Sequence, residues 1–138
     1  MPNIPPDLHE RIQNECNVSS LKVRPVGGGC ISKSVLAETE KGTFFVKWDS
    51  NERRDMIEAE VHGLMLLAEA GEISVPEVYA WGEEAGSAYL VTEAIEGERG
   101  GDEQLGRELA ALHSHSAEQF GLEWDNFIGS LPQSNTPH

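Results

Sequence analysis

Two rhythms of apolar positions run along this chain. Between Pro6 and Asn17, Leu8, Ile12 and Cys16 recur every four residues, which predicts a short amphipathic helix ended by Ser19-Ser20. Leu21 to Val26 then reads as a strand, and Gly27-Gly28-Gly29 breaks regular structure. Ile31 to Thr39 reads as a second strand, with Lys41-Gly42 as its turn. Thr43 to Trp48 is rich in β-branched and aromatic residues and predicts a third.

The four-residue rhythm returns after Asp49-Ser50-Asn51, which offers helix N-cap residues. The helix is expected to run to about Ala70 and to stop at Gly71. Val75 to Trp81 and Ala88 to Glu93 read as extended segments on either side of a turn at Glu83 to Ser87. Gly97 to Gly101 reads as a connector, and Asp102 to about Ser116 as a helix with Leu105, Leu109 and Leu112 on one side. The tail from Phe120 reads as irregular. Short connections between the early strands favour an α+β fold: an antiparallel sheet with one helix packed on it, not a doubly wound parallel sheet.

Composition narrows the function classes. The chain has 138 residues, one domain's worth, with 24 acidic residues against 10 basic and a net charge of -14. That field repels nucleic acid and anionic lipid, so neither is expected as a partner. It repels nucleotides too, so a nucleotide site must be built by local groups. No apolar run is long enough to span a membrane, and the first residues do not resemble a signal peptide, so the expected compartment is the cytoplasm. Cys16 and Cys30 are too few for a disulfide framework and do not form a metal-ligand spacing. His113 and His115, two apart on a helix, do not face each other, and no residue is read as a metal ligand.

Three features carry candidate chemistry. The first is Gly27-Gly28-Gly29-Cys30-Ile31-Ser32. Glycines between two strands let backbone N–H groups point at an anion, and Ser32 adds a hydroxyl donor. Alone, the same residues also suit a plain hairpin turn. The second is Lys47, which strand alternation places on the face of Phe45; there it is either at an edge or has an anionic partner, because an unpaired buried cation is too costly. The third is Glu60. On the helix it lies only about 70° from the centre of the apolar stripe of Ile57, Val61, Leu64 and Ala68. It either reaches water at the stripe's edge or pairs with a cation, and Lys47 is the nearest choice. Glycine loop, strand lysine and helix glutamate, in that order, is the arrangement kinases use. There the loop covers the phosphates, the lysine pairs with their oxygens and the glutamate holds the lysine.

These motifs resemble those of the fructosamine (ketosamine) kinase family, within the protein-kinase-like and aminoglycoside-phosphotransferase-like superfamily. The glycine loop, Phe45-Val46-Lys47 and Glu58-Ala59-Glu60-Val61 are similar to the family's phosphate loop, strand lysine and helix motif. Val75-Pro76-Glu77-Val78 and Leu90-Val91-Thr92-Glu93 resemble its next strands. Leu105-Gly106 and Leu109 to His113 resemble its first C-lobe helix. Phe120-Gly121, Asn126-Phe127-Ile128-Gly129 and Pro132-Gln133-Ser134-Asn135 resemble the segment after it.

The resemblance implies a protein-kinase-like N-lobe over residues 1–95, with a five-stranded antiparallel sheet. Residues 96–138 would then be the hinge, connector and start of a C-lobe. It implies ATP, with Mg2+ in the complete enzyme, as donor, and a ketosamine or glycated protein as acceptor. It implies Gly28, Gly29, Cys30, Ile31, Ser32, Lys47 and Glu60 at the phosphates. It places the Glu93 carbonyl and the Ile95 N–H at adenine.

The sequence holds no His-Gly-Asp and no Asp-Phe-Gly, so no catalytic residue is assigned and the chain is expected to be a truncated, inactive piece. Other kinase-like phosphotransferases, acting on aminoglycosides or choline-type alcohols, and a non-catalytic binding or dimerisation module are the competing readings. The Leu105/Leu109/Leu112 face is expected to drive self-association. Cys30, in an anion-binding loop, is either a reactive thiol able to form an intermolecular disulfide over the phosphate site or a small packing residue.

Overall fold

The structure is a computed structural model that describes residues 3–27, 31–97 and 100–138. Its centre is a five-stranded, wholly antiparallel sheet. In chain order the strands are β1 (Lys22–Pro25), β2 (Lys33–Thr39), β3 (Gly42–Ser50), β4 (Val78–Glu84) and β5 (Ser87–Glu93). In space they run β1-β2-β3-β5-β4, which puts β3 in the middle.

Alternation along β3 explains how the sheet is used. Phe44, Val46 and Trp48 point to one face, which is covered by helix α1 (Pro6–Cys16) through Leu8 and Ile12. Val35 and Ala37 of β2 and Tyr89 and Val91 of β5 share that face and complete the larger core. Phe45, Lys47 and Asp49 point to the other face, with Ala88, Leu90 and Thr92 of β5. There helix α2 (Arg54–Ala70) packs Ile57 and Val61 on Ala88 and Leu90. The expected helix on the sheet is α2, and α1 adds cover on the opposite side.

Two turns fix the entry to α2. Strand β3 runs past Trp48 because Trp48, Asp49 and Ser50 pair with Tyr89, Ala88 and Ser87. The expected helix cap at Asp49-Ser50-Asn51 is therefore a correction: a short 3-10 turn, Asn51–Arg53, intervenes, and neither it nor α2 has a side-chain cap bond. The β4–β5 hairpin turns at Ala85 and Gly86, both at positive φ (48° and 80°), which suits the twist of a two-residue hairpin. Its Gly86 carbonyl accepts the Asn51 N–H at 2.9 Å, tying the hairpin to the start of α2. Gly71 closes α2 in the left-handed region, as expected (φ 70°).

The remaining elements lie outside the sheet. Helix α3 (Asp102–His113) ends earlier than expected and buries none of its residues; Leu105 and Leu109 are exposed and Leu112 is half-buried. The tail is not irregular throughout. Strands β6 (Asn126–Ile128) and β7 (Leu131–Gln133) form a hairpin. An amide network builds it: the Gln133 and Asn135 side-chain amides both donate to the Asn126 Oδ1, and the Asp125 carboxylate accepts the Asn135 N–H. Sequence pattern misses such an element because its strands are three residues long and held by side chains. The hairpin leans on α2, where the Trp124 and His62 rings stack 4.3 Å apart. No helix among the described residues is long and apolar enough to cross a membrane.

Candidate nucleotide site

Lys47 occupies the middle of the central strand, facing Ser34 of β2 and Leu90 of β5 across the ladders. Its neighbours prevent it from lying flat in a core. Leu90 is fully buried beneath it, and the Phe45 ring lies 5.9 Å from its ammonium. The ammonium therefore projects toward the rim between the sheet and α2.

Glu60 meets it there. Ile57 and Val61 anchor α2 to the sheet, and Glu60, one position before Val61, is left on the flank that overlooks β3. Both carboxylate oxygens accept from Lys47 Nζ at 2.8 Å. The sequence left open a Glu60 turned to water; the structure pairs it. The pair is not dry: the Lys47 and Glu60 side chains keep 26% and 38% of their exposure. A cation so held has one N–H direction left over and faces solvent, which suits an incoming anion better than a sealed structural bridge would.

The pair lies in an open cleft of about 400 Å³. Val26, Gly27, Ile31 and Ser32, from the two sides of the glycine-rich connection, line it together with Phe45 and Met56. Of the sequence-derived site residues, Ile31, Ser32, Lys47 and Glu60 thus come together. Gly28, Gly29 and Cys30 lie outside the described residues, and so does the expected redox chemistry of Cys30. Glu93 and Ile95 do not line this cleft. Three residues along β5 separate Glu93 from Leu90, the partner of Lys47, a distance of about 10 Å. The Glu93 carbonyl accepts the Thr92 hydroxyl at 3.0 Å, which leaves it a second lone pair, and Ile95 is exposed.

Two polar residues of the site were not singled out from sequence. Asp49, two positions after Lys47 on the same face, accepts from the Ser32 hydroxyl at 3.1 Å. Arg53 lies 3.4 Å from the same carboxylate and donates to the Ile31 carbonyl at 3.3 Å. Ser32, expected to add a hydroxyl donor for an anion, donates to a carboxylate of the protein itself. The signal that could find Asp49 is its strand phase, two positions after Lys47, which its propensity to cap helices masks. Among the described residues no group of three His, Cys, Asp or Glu side chains converges to hold a metal. A phosphate chain fits the remaining N–H of Lys47, and not the Ser32 hydroxyl, whose one proton goes to Asp49. A divalent ion would come in on that chain, with no set of protein ligands waiting for it among the described residues.

The profile describing fructosamine kinases matches residues 4–138. A chloroplastic protein-ribulosamine 3-kinase of Arabidopsis thaliana is 41% identical over 120 residues, covering 83% of this chain and 37% of the plant protein. A probable ketoamine kinase of Enterococcus faecium is 39% identical over 115 residues, covering 83% of this chain and 41% of the relative. A solved candidate fructosamine-3-kinase from Haemophilus somnus superposes with a TM-score of 0.82 at 25% identity, over 96% of this chain and 47% of its own. A second, from Thermobifida fusca, gives 0.74 at 28% identity, over 94% and 46%. The chain thus spans less than half the length of each of these proteins.

Proposed function

This chain belongs to the fructosamine kinase family, and on that premise we propose that it is the ATP-binding part of a kinase that phosphorylates a sugar hydroxyl of ketosamines. Residues 1–95 serve as the nucleotide lobe, and 96–138 as the hinge and the first part of a second lobe. The observation that carries the reading is the Lys47–Glu60 pair, closed at 2.8 Å on both oxygens, at the rim of a cleft headed by a glycine-rich connection. In a chain of net charge -14, a triphosphate needs such a local cation.

The division of work follows from position. Lys47 binds phosphate oxygens with an ammonium that Glu60 keeps from swinging away. Val26 and Phe45 supply apolar surface for the base and ribose. The Glu93 carbonyl and Ile95 N–H, about 10 Å along the sheet, take the polar edge of adenine. The sequence contains no His-Gly-Asp, so the chain alone binds nucleotide without transferring phosphate.

Calorimetric titration with ATP tests the donor half, with 1:1 binding as the expected result; no heat and no competition against a fluorescent ATP analogue would reject it. The acceptor half is tested with a gene product of the relatives' full length. ATP consumption on a ketosamine and not on an aminoglycoside is expected, and the reverse preference would reject it.

A further inference from the structure

We propose that Asp49 is a positioning residue for the nucleotide site, fastening the descending side of the glycine-rich connection to the junction of β3 and α2. The backbone ladder between β2 and β3 ends at the Lys33–Trp48 pair. Ile31 and Ser32 lie beyond it, so among the described residues no sheet hydrogen bond sets their height above the cleft they line. Side chains take over. The Asp49 carboxylate accepts the Ser32 hydroxyl at 3.1 Å, and Arg53 donates to the Ile31 carbonyl at 3.3 Å while lying 3.4 Å from Asp49. One carboxylate thus holds two successive loop residues, one directly and one through a cation.

Asp49 is built for this and not for capping. Its side chain keeps only 14% of its exposure, and a carboxylate so enclosed requires partners. Its third contact, from the Ser50 N–H at 2.7 Å, is local and would form without the other two. Because Asp49 follows Lys47 by two residues, one strand carries both the phosphate cation and the anchor of the loop above it, about 7 Å apart. Arg53 also neutralises a carboxylate that would otherwise repel the phosphates. The effect on nucleotide affinity rests on the ATP reading above; the fastening itself does not.

The test measures NMR backbone order parameters at Ile31 and Ser32 and ATP affinity in the 138-residue chain, for wild type, Asp49→Asn and Asp49→Ala. Asp49→Asn keeps an acceptor for Ser32 and loses the charge facing Arg53. The order parameters are expected to fall from about 0.85 to about 0.6 in Asp49→Ala and less in Asp49→Asn, with Val61 in the core unchanged. ATP affinity should fall in the same order, by about tenfold in Asp49→Ala. Unchanged order parameters at these residues, or a fall with unaltered affinity, would overturn the proposal. If Asp49→Ala does not fold, Ser32→Ala and Arg53→Gln, which cut the same network from its other members, take the same readings. A wild type that does not bind ATP sinks the nucleotide reading, and the order parameters still decide the fastening.

Discussion

Removing the Lys47 ammonium separates a functional pair from a structural one. At a few Å, opposite charges attract by about 1 kcal/mol in a water-like medium and about 4 kcal/mol at an effective dielectric of 20. With both side chains a quarter or more exposed, desolvation and side-chain ordering offset most of that. The net contribution to folding is about 0–1 kcal/mol. Lys47→Met should therefore shift the urea midpoint little, since Glu60 can hydrate where it stands. Nucleotide binding should respond far more. A charge-assisted hydrogen bond to phosphate contributes about 1.5–3 kcal/mol, so its loss weakens ATP by about 10- to 150-fold. The variant also leaves a bare carboxylate facing the triphosphate. Glu60→Gln keeps the cation and relaxes its aim, and a loss of tenfold or less is expected. The double variant should bind ATP better than Lys47→Met alone, because the repelling charge is gone. Calorimetry of the four proteins, with urea unfolding of each, completes the cycle. Equal ATP affinity across all four, or a Lys47→Met that loses more than about 3 kcal/mol of stability, would show the pair to be structural and not a phosphate cation.

Two further outcomes follow. Backbone and hydroxyl donors of Ser19 and Ser20 converge on the Glu40 carboxylate and hold its pKa down at about 2, against 4.5. A depressed carboxylate stabilises the fold above its unfolded value, and that help is lost as pH falls from 4.5 toward 2. The urea midpoints of wild type and Glu40→Gln should differ by a constant amount above about pH 5 and converge through that window; a gap undiminished at about pH 2 contradicts this. Helix α3 leaves Leu105 and Leu109 exposed, and light scattering should show concentration-dependent association that Leu109→Glu abolishes. A wild type that stays monomeric at the highest concentration would reject that role for the helix.

Much of the fold was legible because its residues repeat at the right period. The alternation of Phe44 to Trp48 marked the central strand, the Ile57–Val61–Leu64 stripe marked α2, and Gly71 marked its end. Lys47 and Glu60 were legible because a charge within an apolar pattern demands a partner. What escaped was held by side chains of distant residues. Asp49 has the composition of a cap, yet pairing with β5 carried the strand past it. The β6–β7 hairpin depends on Asn126, Gln133 and Asn135 amides that meet only after the chain turns at Gly129 (φ 61°). The reach from Lys47 to Glu93 follows from the β3–β5 register, which pairs Lys47 with the distant Leu90 and leaves no local signature.

A crystal structure of this chain with a non-hydrolysable ATP analogue and Mg2+ would decide the nucleotide site. Phosphate oxygens should lie about 2.7–2.9 Å from Lys47 Nζ, with Glu60 still paired and adenine against the Glu93 carbonyl. A nucleotide bound elsewhere on the molecule, or phosphates out of reach of Lys47, would be incompatible with Lys47 as the phosphate cation.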